Sequence, residues 1–436
     1  METNYVNELF GFLKNSPSMF HAIDVAKKTL IKNGFVELNE SEAYKIERGG
    51  KYFVTRNMSS IIAFSLPKDD FSGFMVVASH SDSPTFKLKS EAEIEVNKKY
   101  IKLDTEKYGG MLMASWFDRP LSIAGKVVVK TETGVKSVLI NIDRDLVIIP
   151  NLAIHMSRDA NDGYKFNAAK DTYPLFSEID SSTTLNKLIA ETAGVDEENV
   201  LGRDIYLYNR MGGTVFGANG EFIAAPRIDD LQCAFSSLTA IVSTEPNGAV
   251  PVCYIADNEE VGSGTKQGAA GTFLFDTLSR INEAFGGSNA DYQIKIAQSF
   301  MLSADNAHAV HPNYTDVCDP KNAPYLNGGI AIKYNGSQKY ATDAVSEGIF
   351  KNILNRAGVK YQPYANRSDM PGGSTLGNIS ATRVPMNTVD IGIPQLAMHS
   401  AYETAGTRDM AEMIAGMRAC FESNIKRIGD GEYIIG

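Results

Sequence analysis

The chain has 436 residues, of which 43% are hydrophobic, so it can bury a large core as one large α/β domain or as two domains. Its formal net charge of -10 argues against a nucleic-acid-binding or anionic-membrane surface, because both need a cationic face. The four cysteines lie far apart without a Cys-x-x-Cys pair, which predicts neither a zinc knuckle nor a disulfide framework and favours a cytoplasmic setting. The acidic, amphipathic N-terminus and the absence of about 18 consecutive apolar residues predict neither an export signal nor a membrane span.

The first part of the chain is predicted to fold as two helices followed by buried strands. Residues 4–16 and 16–35 carry apolar side chains at helical spacing, and the second segment closes at Asn33-Gly34. Residues 59–67 and 73–80 are short apolar runs, rich in β-branched residues and bounded by polar turns. This pattern is typical of buried strands.

The sequence changes character between about residues 89 and 210. Strand-like runs separated by frequent turns cover residues 94–104, 122–132, 136–142 and 146–150. Helical patterns are scarce in this region until residues 183–194. We therefore predict a separate β-rich domain that is inserted into the first domain.

After Arg227 the chain returns to alternating helix-like and strand-like segments. They cover residues 231–243, 250–257, 271–286, 292–305, 346–358 and 408–428. Alternation of this kind favours an α/β fold in which helices cover a mixed, mainly parallel sheet.

Ionisable side chains follow five of the strand-like runs, at the point where each run ends. In chain order they are His80 with Asp82, Asp229 with Asp230, Glu259 with Glu260, Asp305, and His399. Because ligand-binding groups collect at the carboxyl edge of a parallel sheet, we expect these side chains to meet at one edge.

Each of these residues has an ordinary structural interpretation when it is taken alone. A single histidine after a strand is usually hydrogen-bonded within the fold, an Asp before a helix is often an N-cap, and adjacent glutamates can lie in a solvated loop. Together, two histidines and three carboxylates suit a pair of divalent ions, which favours metal-assisted hydrolysis. We expect zinc, with cobalt or manganese as alternatives that the same ligands accept. We predict Asp82 as a further catalytic residue. Its carboxylate would accept the second N–H of the His80 imidazole and fix its orientation.

Longer motifs around these residues resemble the aspartyl aminopeptidases, a family of metallopeptidases with two metal ions. The resembling segments span nearly the whole chain in family order: ASHSDSP, YGG followed by WFDRPL, PNLAIHM, PRIDDLQCAF, DNEEVGS, SADNAHAVHPNY, IKYNGSQKYAT and IPQLAMHS. Several of these segments are long enough to be highly specific.

The resemblance implies ligands for each ion and a general base. By similarity, His80, Asp229 and Asp305 would hold one ion, and Asp229, Glu260 and His399 would hold the other, with Asp229 bridging. Glu259 would be the general base, and Asp230 would support the ligands without binding a metal.

The resemblance also implies a domain organisation and an assembly. Residues 1–88 and 215–436 would form the metallopeptidase catalytic domain, and residues 89–214 would form an inserted β-rich dimerisation domain. Members of the family assemble from dimers into tetrahedral dodecamers whose active sites face an internal chamber. The expected partners are short peptides and further copies of the chain.

Four further positions carry over for substrate binding. His155 resembles the family's histidine that reaches into a neighbouring subunit's site, where it contacts the substrate or, in some descriptions, a metal. Lys333 and Tyr340 resemble the pair that lines the pocket for the substrate side chain, and His308 follows Asp305 in the same motif. Without the resemblance, a structural histidine and a solvent-facing lysine would be the ordinary interpretations.

The expected activity is hydrolysis of the N-terminal peptide bond of short peptides. Acidic N-terminal residues are the expected preference, with neutral ones as the alternative, since Gly372-Gly373 stands where many relatives have Cys-Gly. A related deacylase or carboxypeptidase would use the same chemistry. A non-catalytic scaffold is disfavoured because all six metal and base positions are present.

Overall fold

The computed structural model describes residues 2–436, within which nine α-helices are numbered along the chain. They are α1 (Glu2–Lys14), α2 (Met19–Lys32), α3 (Leu185–Ala193), α4 (Ile228–Val242), α5 (Phe273–Ala284), α6 (Asn289–Ala297), α7 (Ala344–Ala357), α8 (Leu376–Ala381) and α9 (Asp409–Phe421). The first two match the helices predicted for the N-terminal part of the chain. None of the helices in the described part of the chain combines the length and the apolar run that crossing a membrane requires.

The largest sheet has nine strands, and strands are numbered β1 to β22 along the chain. Its members are β1 (Val36–Glu37), β2 (Lys51–Arg56), β3 (Ser60–Ser65), β4 (Phe74–His80), β13 (Val250–Ala256), β14 (Phe300–Ala304), β16 (Ile330–Tyr334), β17 (Tyr361–Ala365) and β18 (Asn387–Gly392). Their spatial order is β1-β2-β3-β13-β4-β14-β18-β16-β17. Parallel pairs outnumber antiparallel pairs, five to three, which confirms the predicted mixed, mainly parallel sheet.

Helices cover both faces of this sheet. Successive side chains of a strand point to opposite faces, so each central strand packs against helices on both sides. In β13, Cys253 and Ile255 pack into a core that includes α1, α2, α4, α7 and α9. Val252 and Tyr254 pack on the other side, against α5, α6 and α8. Burial on both faces explains why the central strands read as continuous apolar runs.

A second, six-stranded sheet forms a β-rich part of the molecule. Its strands are β5 (Thr85–Val96), β6 (Tyr100–Tyr108), β7 (Leu121–Lys130), β8 (Val135–Asn141), β9 (Leu175–Glu178) and β10 (Val200–Asn209), in the order β8-β7-β10-β5-β6-β9. All pairs are antiparallel, and α3 covers the sheet through Leu185 and Ile189. The first strand of this sheet begins at Thr85, four residues before the predicted start of the inserted domain. The boundaries of that domain stay a prediction.

A third, small sheet has five strands, whose sequence positions alternate with strands of the large sheet or follow them. It contains β11 (Thr214–Phe216), β12 (Phe222–Ala225), β15 (Ala307–His308), β19 (Pro394–Leu396) and β20 (Glu403–Gly406). The strand-like run that ends before His399, residues 388–398, divides between two sheets, with β18 in the large sheet and β19 in the small one. The division falls just before Pro394, which has no N–H to donate to a continuing ladder. The chain closes with the hairpin of β21 (Ile425–Gly429) and β22 (Glu432–Ile435).

The strand predicted at residues 146–150 is absent from the described structure. Val147, Ile148 and Ile149 instead make single bridges to Leu121, Leu175 and Phe117, respectively. Because each residue pairs with a different segment, no continuous ladder forms. The apolar side chains are explained by packing, as Val147 and Ile149 are buried in the core of the six-stranded sheet.

Candidate metal centre

Three adjacent strands of the large sheet deliver ionisable groups to one edge. The parallel strands β13, β4 and β14 lie side by side, and β4 ends at His80 opposite Ala256 of β13. Glu259 and Glu260 follow β13 in a short turn, and Asp305 directly follows β14. The structure thus brings these side chains together where the carboxyl ends of the strands meet.

Asp229 and His399 reach the same place from the small sheet. Asp229 lies at the kinked start of α4, after β12, and its peptide bond to Asp230 is cis. His399 follows β19 in a turn, with a left-handed φ of 66°. The expectation that one sheet edge supplies all five groups was wrong for these two residues, because their strands pair in a different sheet.

Asp229 lies between the two imidazoles. Its Oδ1 is 3.6 Å from His80 Nε2, and its Oδ2 is 3.3 Å from His399 Nε2. Glu260 Oε2 is 3.4 Å from His399 Nε2, while Asp305 Oδ1 is 4.0 Å from His80 Nε2. Ligand atoms about 2.0–2.1 Å from one tetrahedral zinc ion are separated by roughly 3.3 Å, so the 3.3 and 3.4 Å spacings around His399 suit ligands of a common ion.

The Nδ1 contacts of both imidazoles leave Nε2 facing carboxylates. His399 Nδ1 lies 2.5 Å from the carbonyl oxygen of Gly110, which can only accept a hydrogen bond. His80 Nδ1 likewise lies 3.1 Å from the carbonyl oxygen of Asp82. Each Nε2 therefore needs a proton or a cation between itself and the carboxylates, and a metal ion fits this arrangement.

Buried oxygens without partners support the same fit. Asp229 Oδ1, Asp230 Oδ1 and Glu260 Oε1 are buried and accept no hydrogen bond, although buried polar atoms are nearly always paired. In the described residues, potential ligand atoms cluster as His80 with Asp229, Asp230 and Asp305, as Asp229 with Glu260 and His399, and as His80 with Glu259 and Glu260. The donor set of imidazole nitrogens and carboxylate oxygens is the type that zinc takes.

Burial perturbs the acidity of the carboxylates in this cluster. It raises the pKa of Glu259 to about 8, a shift that His80 opposes and Asp305 reinforces. Burial also raises the pKa of Glu260, where the charge of Asp229 adds to the effect. Burial alone would raise the pKa of Asp229, but its contacts with His399 and His80 lower it. A divalent cation among these groups would favour their ionised forms.

Asp82 holds both the first histidine and the turn that carries the glutamates. Its Oδ1 lies 3.2 Å from His80 Nδ1. Its two oxygens also accept the main-chain N–H groups of Glu259 and Glu260, at 3.1 and 3.2 Å. Tyr108 donates its hydroxyl to Asp82 Oδ2 over 2.8 Å. The sequence did not predict these last three bonds, although Tyr108 begins the YGG motif.

Glu403 was not predicted, yet it contacts two members of the cluster. It is buried and accepts the main-chain N–H of Asp229 over 3.0 Å and that of His399 over 2.7 Å. The only sequence signal is its position four residues after His399 in HSAYE.

A cavity of about 270 Å³ opens beside the cluster. Its lining includes Asp229, Glu259, Asp305, His308, Lys333, Tyr340, Tyr364, Thr375 and His399. Lys333 is 2% exposed, and its Nζ lies 3.7 Å from Asp305 Oδ2 and donates to the carbonyl of Asn306 over 2.9 Å. The structure therefore places Lys333, Tyr340 and His308 at the cavity wall.

Of the predicted site residues, His155 belongs neither to the side-chain cluster nor to the cavity within one chain. It lies in an exposed turn and does not line the cavity. Leu152, Ile154 and Met156 around it are exposed as well.

Known proteins resemble this chain over nearly its whole length. A family model described as aminopeptidase I zinc metalloprotease (M18) matches residues 12–421. A probable M18 family aminopeptidase 2 from Clostridium acetobutylicum is 44% identical over 416 residues, which cover 94% of this chain and 96% of that protein.

Two solved structures show the same fold. A chain in the cryo-EM structure of the Ape4 and Nbr1 complex has a TM-score of 0.93 at 34% identity, covering 96% of this chain and 86% of that chain. A chain of the S. cerevisiae mApe1 dodecamer has a TM-score of 0.83 at 27% identity, covering 95% of each chain.

Proposed function

Because the chain belongs to the M18 family of zinc aminopeptidases, we propose that it removes acidic N-terminal residues from short peptides by means of two metal ions. In this proposal His80, Asp229 and Asp305 hold one ion, and Asp229, Glu260 and His399 hold the other.

The position of Asp229 is the observation that carries the proposal of two ions. Its two carboxylate oxygens face different imidazoles, 3.6 Å from His80 Nε2 and 3.3 Å from His399 Nε2. A carboxylate can bind one ion through each oxygen, so this placement suits a bridging ligand. A single ion would leave one imidazole Nε2 facing a buried carboxylate with only a proton between them.

Zinc ions held in this way would polarise the scissile carbonyl and lower the pKa of a bound water. The residues of the chain do the remaining work. Glu259 lines the cavity and takes the proton of the attacking water, then returns it to the departing amine. Asp82 keeps the His80 imidazole and the turn of Glu259 in place, through contacts to both. Tyr108 in turn holds Asp82.

Lys333 supports the proposed preference for acidic N-terminal residues. Its Nζ is buried at the cavity wall, where an aspartate or glutamate side chain would gain a charge-assisted hydrogen bond. Tyr340 lies under this amine, with the Nζ 5.5 Å from the ring centroid. His308 lines the same cavity, and its ring packs edge-on against Tyr364 at 6.3 Å.

We extend the proposal to assembly as a homo-oligomer built from dimers, with a dodecamer as its final form. The support is the 0.83 TM-score to a chain of the S. cerevisiae mApe1 dodecamer, together with the exposed apolar turn that carries His155. In such an assembly His155 would act in the site of a neighbouring subunit.

A panel of aminoacyl anilides tests this function. Free N-terminal Asp, Glu, Leu and Ala substrates should be assayed beside their N-acetylated forms, after removal of metal and after its return as zinc, cobalt or manganese. Cleavage of the free Asp and Glu substrates, with loss on chelation and a content of two ions per chain, is the expected result. Preferred cleavage of acetylated substrates would indicate a deacylase, and equal rates on Asp and Leu would remove the acidic preference.

A further inference from the structure

Glu403 joins two parts of the metal centre that come from distant parts of the chain. Its Oε2 accepts the main-chain N–H of Asp229 over 3.0 Å, and its Oε1 accepts that of His399 over 2.7 Å. Asp229 lies at the kinked start of helix α4, whereas His399 lies in the turn after β19. One buried carboxylate, 2% exposed, therefore fixes how far apart these two residues stand.

Ordinary helix capping does not explain both bonds. A carboxylate that accepts the N–H of Asp229 satisfies a free amide at the start of α4, as a capping group does. The bond to His399 serves no helix, since His399 lies in a turn. The two residues that Glu403 joins instead belong to one group of potential metal ligands, together with Glu260.

A chain of buried side chains holds Glu403 itself in position. Gln395 donates its side-chain amide to Glu403 Oε1 over 3.3 Å and accepts from Asn306 over 2.8 Å. Asn306 follows Asp305, another member of the cluster, and also donates to Gln232 over 3.1 Å. These side chains are all at most 2% exposed, so Glu403 has little freedom to move.

We propose that Glu403 is a positioning residue that sets the separation of Asp229 and His399, and thereby the affinity of the ion that these two residues share. The inference rests on the proposed two-ion function. Glu403 does not contact the ion or the substrate in this proposal, and it acts only through the main chain of its two partners.

The Glu403→Gln variant tests the inference because it keeps the shape of the side chain. Glutamine has only one acceptor oxygen, so its amide group would face one of the two main-chain N–H donors and that bond would be lost. Outer contacts of this type typically change metal affinity by about 10–100-fold. We expect the site of Asp229, Glu260 and His399 to weaken by this factor, and the other site to weaken less because it shares only Asp229.

Asp409→Asn is a matched control. Asp409 is also a buried carboxylate, 1% exposed, and it also accepts two main-chain N–H groups, from Asn327 over 2.6 Å and from Gly329 over 2.8 Å. These partners are not members of the metal-binding clusters. The control should therefore lose a comparable pair of bonds and some stability, while both metal affinities stay at the parent values.

The measurement is titration of the full-length, metal-free protein with zinc in competition with a chromogenic chelator, and with cobalt by its visible absorption. Parent affinities in Glu403→Gln, or equal weakening in Asp409→Asn, would overturn the positioning role while leaving two ions in place. A parent protein that binds fewer than two ions would overturn the proposed function and this inference together. If Glu403→Gln fails to fold, Gln395→Leu removes the side-chain donor to Glu403 and should weaken the same site, and unchanged affinity there would overturn the role.

Discussion

The main-chain N–H of Glu259 donates a hydrogen bond of 3.1 Å to Oδ1 of Asp82. The same oxygen lies 3.2 Å from Nδ1 of His80. The turn that carries the proposed base is therefore anchored through its main chain, while the side chain of Glu259 lines the cavity. Because that anchor does not involve the side chain, the base can be altered without displacing the ligands around it.

Replacing Glu259 with Gln should remove most turnover and preserve the metal content. The amide cannot take a proton from water, and loss of a general base typically costs about 10²–10⁴-fold in rate. Steady-state kinetics and elemental analysis measure the two quantities. Glu260→Gln is the contrasting variant, since it should lower the metal content. Turnover near the parent value in Glu259→Gln would discard its role as the base.

Replacing Lys333 with Met should reduce the preference for acidic N-terminal residues. A buried hydrogen bond to a charged group contributes about 1.5–3 kcal/mol, so kcat/KM for an Asp substrate should fall about 10–150-fold relative to a Leu substrate. The ratio is the proper readout, because Lys333 also lies 3.7 Å from Asp305 and its loss will affect both substrates. Lys339→Met is the control, since its Nζ donates to the exposed carbonyl of Gly372. An unchanged ratio in Lys333→Met would sink the pocket assignment.

Replacing Gly392 with Ala should disturb Asp305 through its main chain. A Cβ at this position would lie 2.1 Å from the carbonyl oxygen of Asp305, so the two strands must separate. We expect a loss of about 1–3 kcal/mol in the free energy of unfolding and weaker metal binding. Gly348 in α7 is the matched control, because its Cβ would meet nothing within 4 Å.

The control should behave in the opposite direction. Alanine in a helix interior is more favourable than glycine by roughly 0.5–1 kcal/mol, so Gly348→Ala should be neutral or stabilising. Urea unfolding and metal titration of both variants provide the comparison. Equal stability and equal metal affinity in the two variants would contradict the tight contact beneath Asp305.

The half-buried imidazole of His21 should make stability fall in mild acid. Ser18 Oγ lies 2.8 Å from His21 Nδ1, and burial lowers the pKa of His21 to about 4. In the unfolded chain the pKa is about 6.5, so between these values the unfolded state binds a proton that the folded state does not. Stability should therefore be present above pH 6.5 and decline as the pH falls towards 4.

The His21→Gln variant isolates this effect. Its free energy of unfolding should change less between pH 7 and pH 5 than that of the parent, by about 1 kcal/mol after allowance for partial solvent exposure. Both proteins should be measured in chelator, so that metal binding does not contribute. An identical pH dependence in parent and variant would show that His21 is not the group responsible.

Mixed oligomers can test whether His155 acts in a neighbouring site. His155→Ala and Glu259→Gln should each be poorly active alone. When the two chains are co-expressed, a site with an intact base can receive an intact histidine from its partner, so about a quarter of the sites in randomly formed dimers should recover. Activity no greater than the average of the two variants would indicate that His155 does not cross between subunits.

The strand ends of the large sheet were predictable because apolar runs and the polar residues that follow them are both local signals. His80, Asp305 and the Glu259-Glu260 pair were found in this way, and the fold places them together. The apolar run before His399 did not show that its two halves join different sheets on either side of Ile393. A proline such as Pro394 interrupts a ladder, but it does not indicate which strand the chain pairs with next.

Glu403 marks the limit of prediction from sequence more sharply. A glutamate between Tyr402 and Thr404 has the sequence pattern of a surface residue in a short strand. Its partners are main-chain N–H groups, which every residue except proline possesses, so no side-chain pattern records the contact. Only the packing of the small sheet against the start of α4 brings the amide of Asp229 to it.

The origin of the ligands in two sheets has a consequence for the order of folding. His80 and His399 lie near opposite ends of the chain, and Asp229 must meet both. Contacts with such large sequence separation form late in folding, because the entropic cost of closing long loops opposes them until other packing is complete. Metal uptake should therefore report the completed tertiary structure, and a nascent chain that still lacks residues 394–406 would lack His399, a proposed ligand of the second proposed ion.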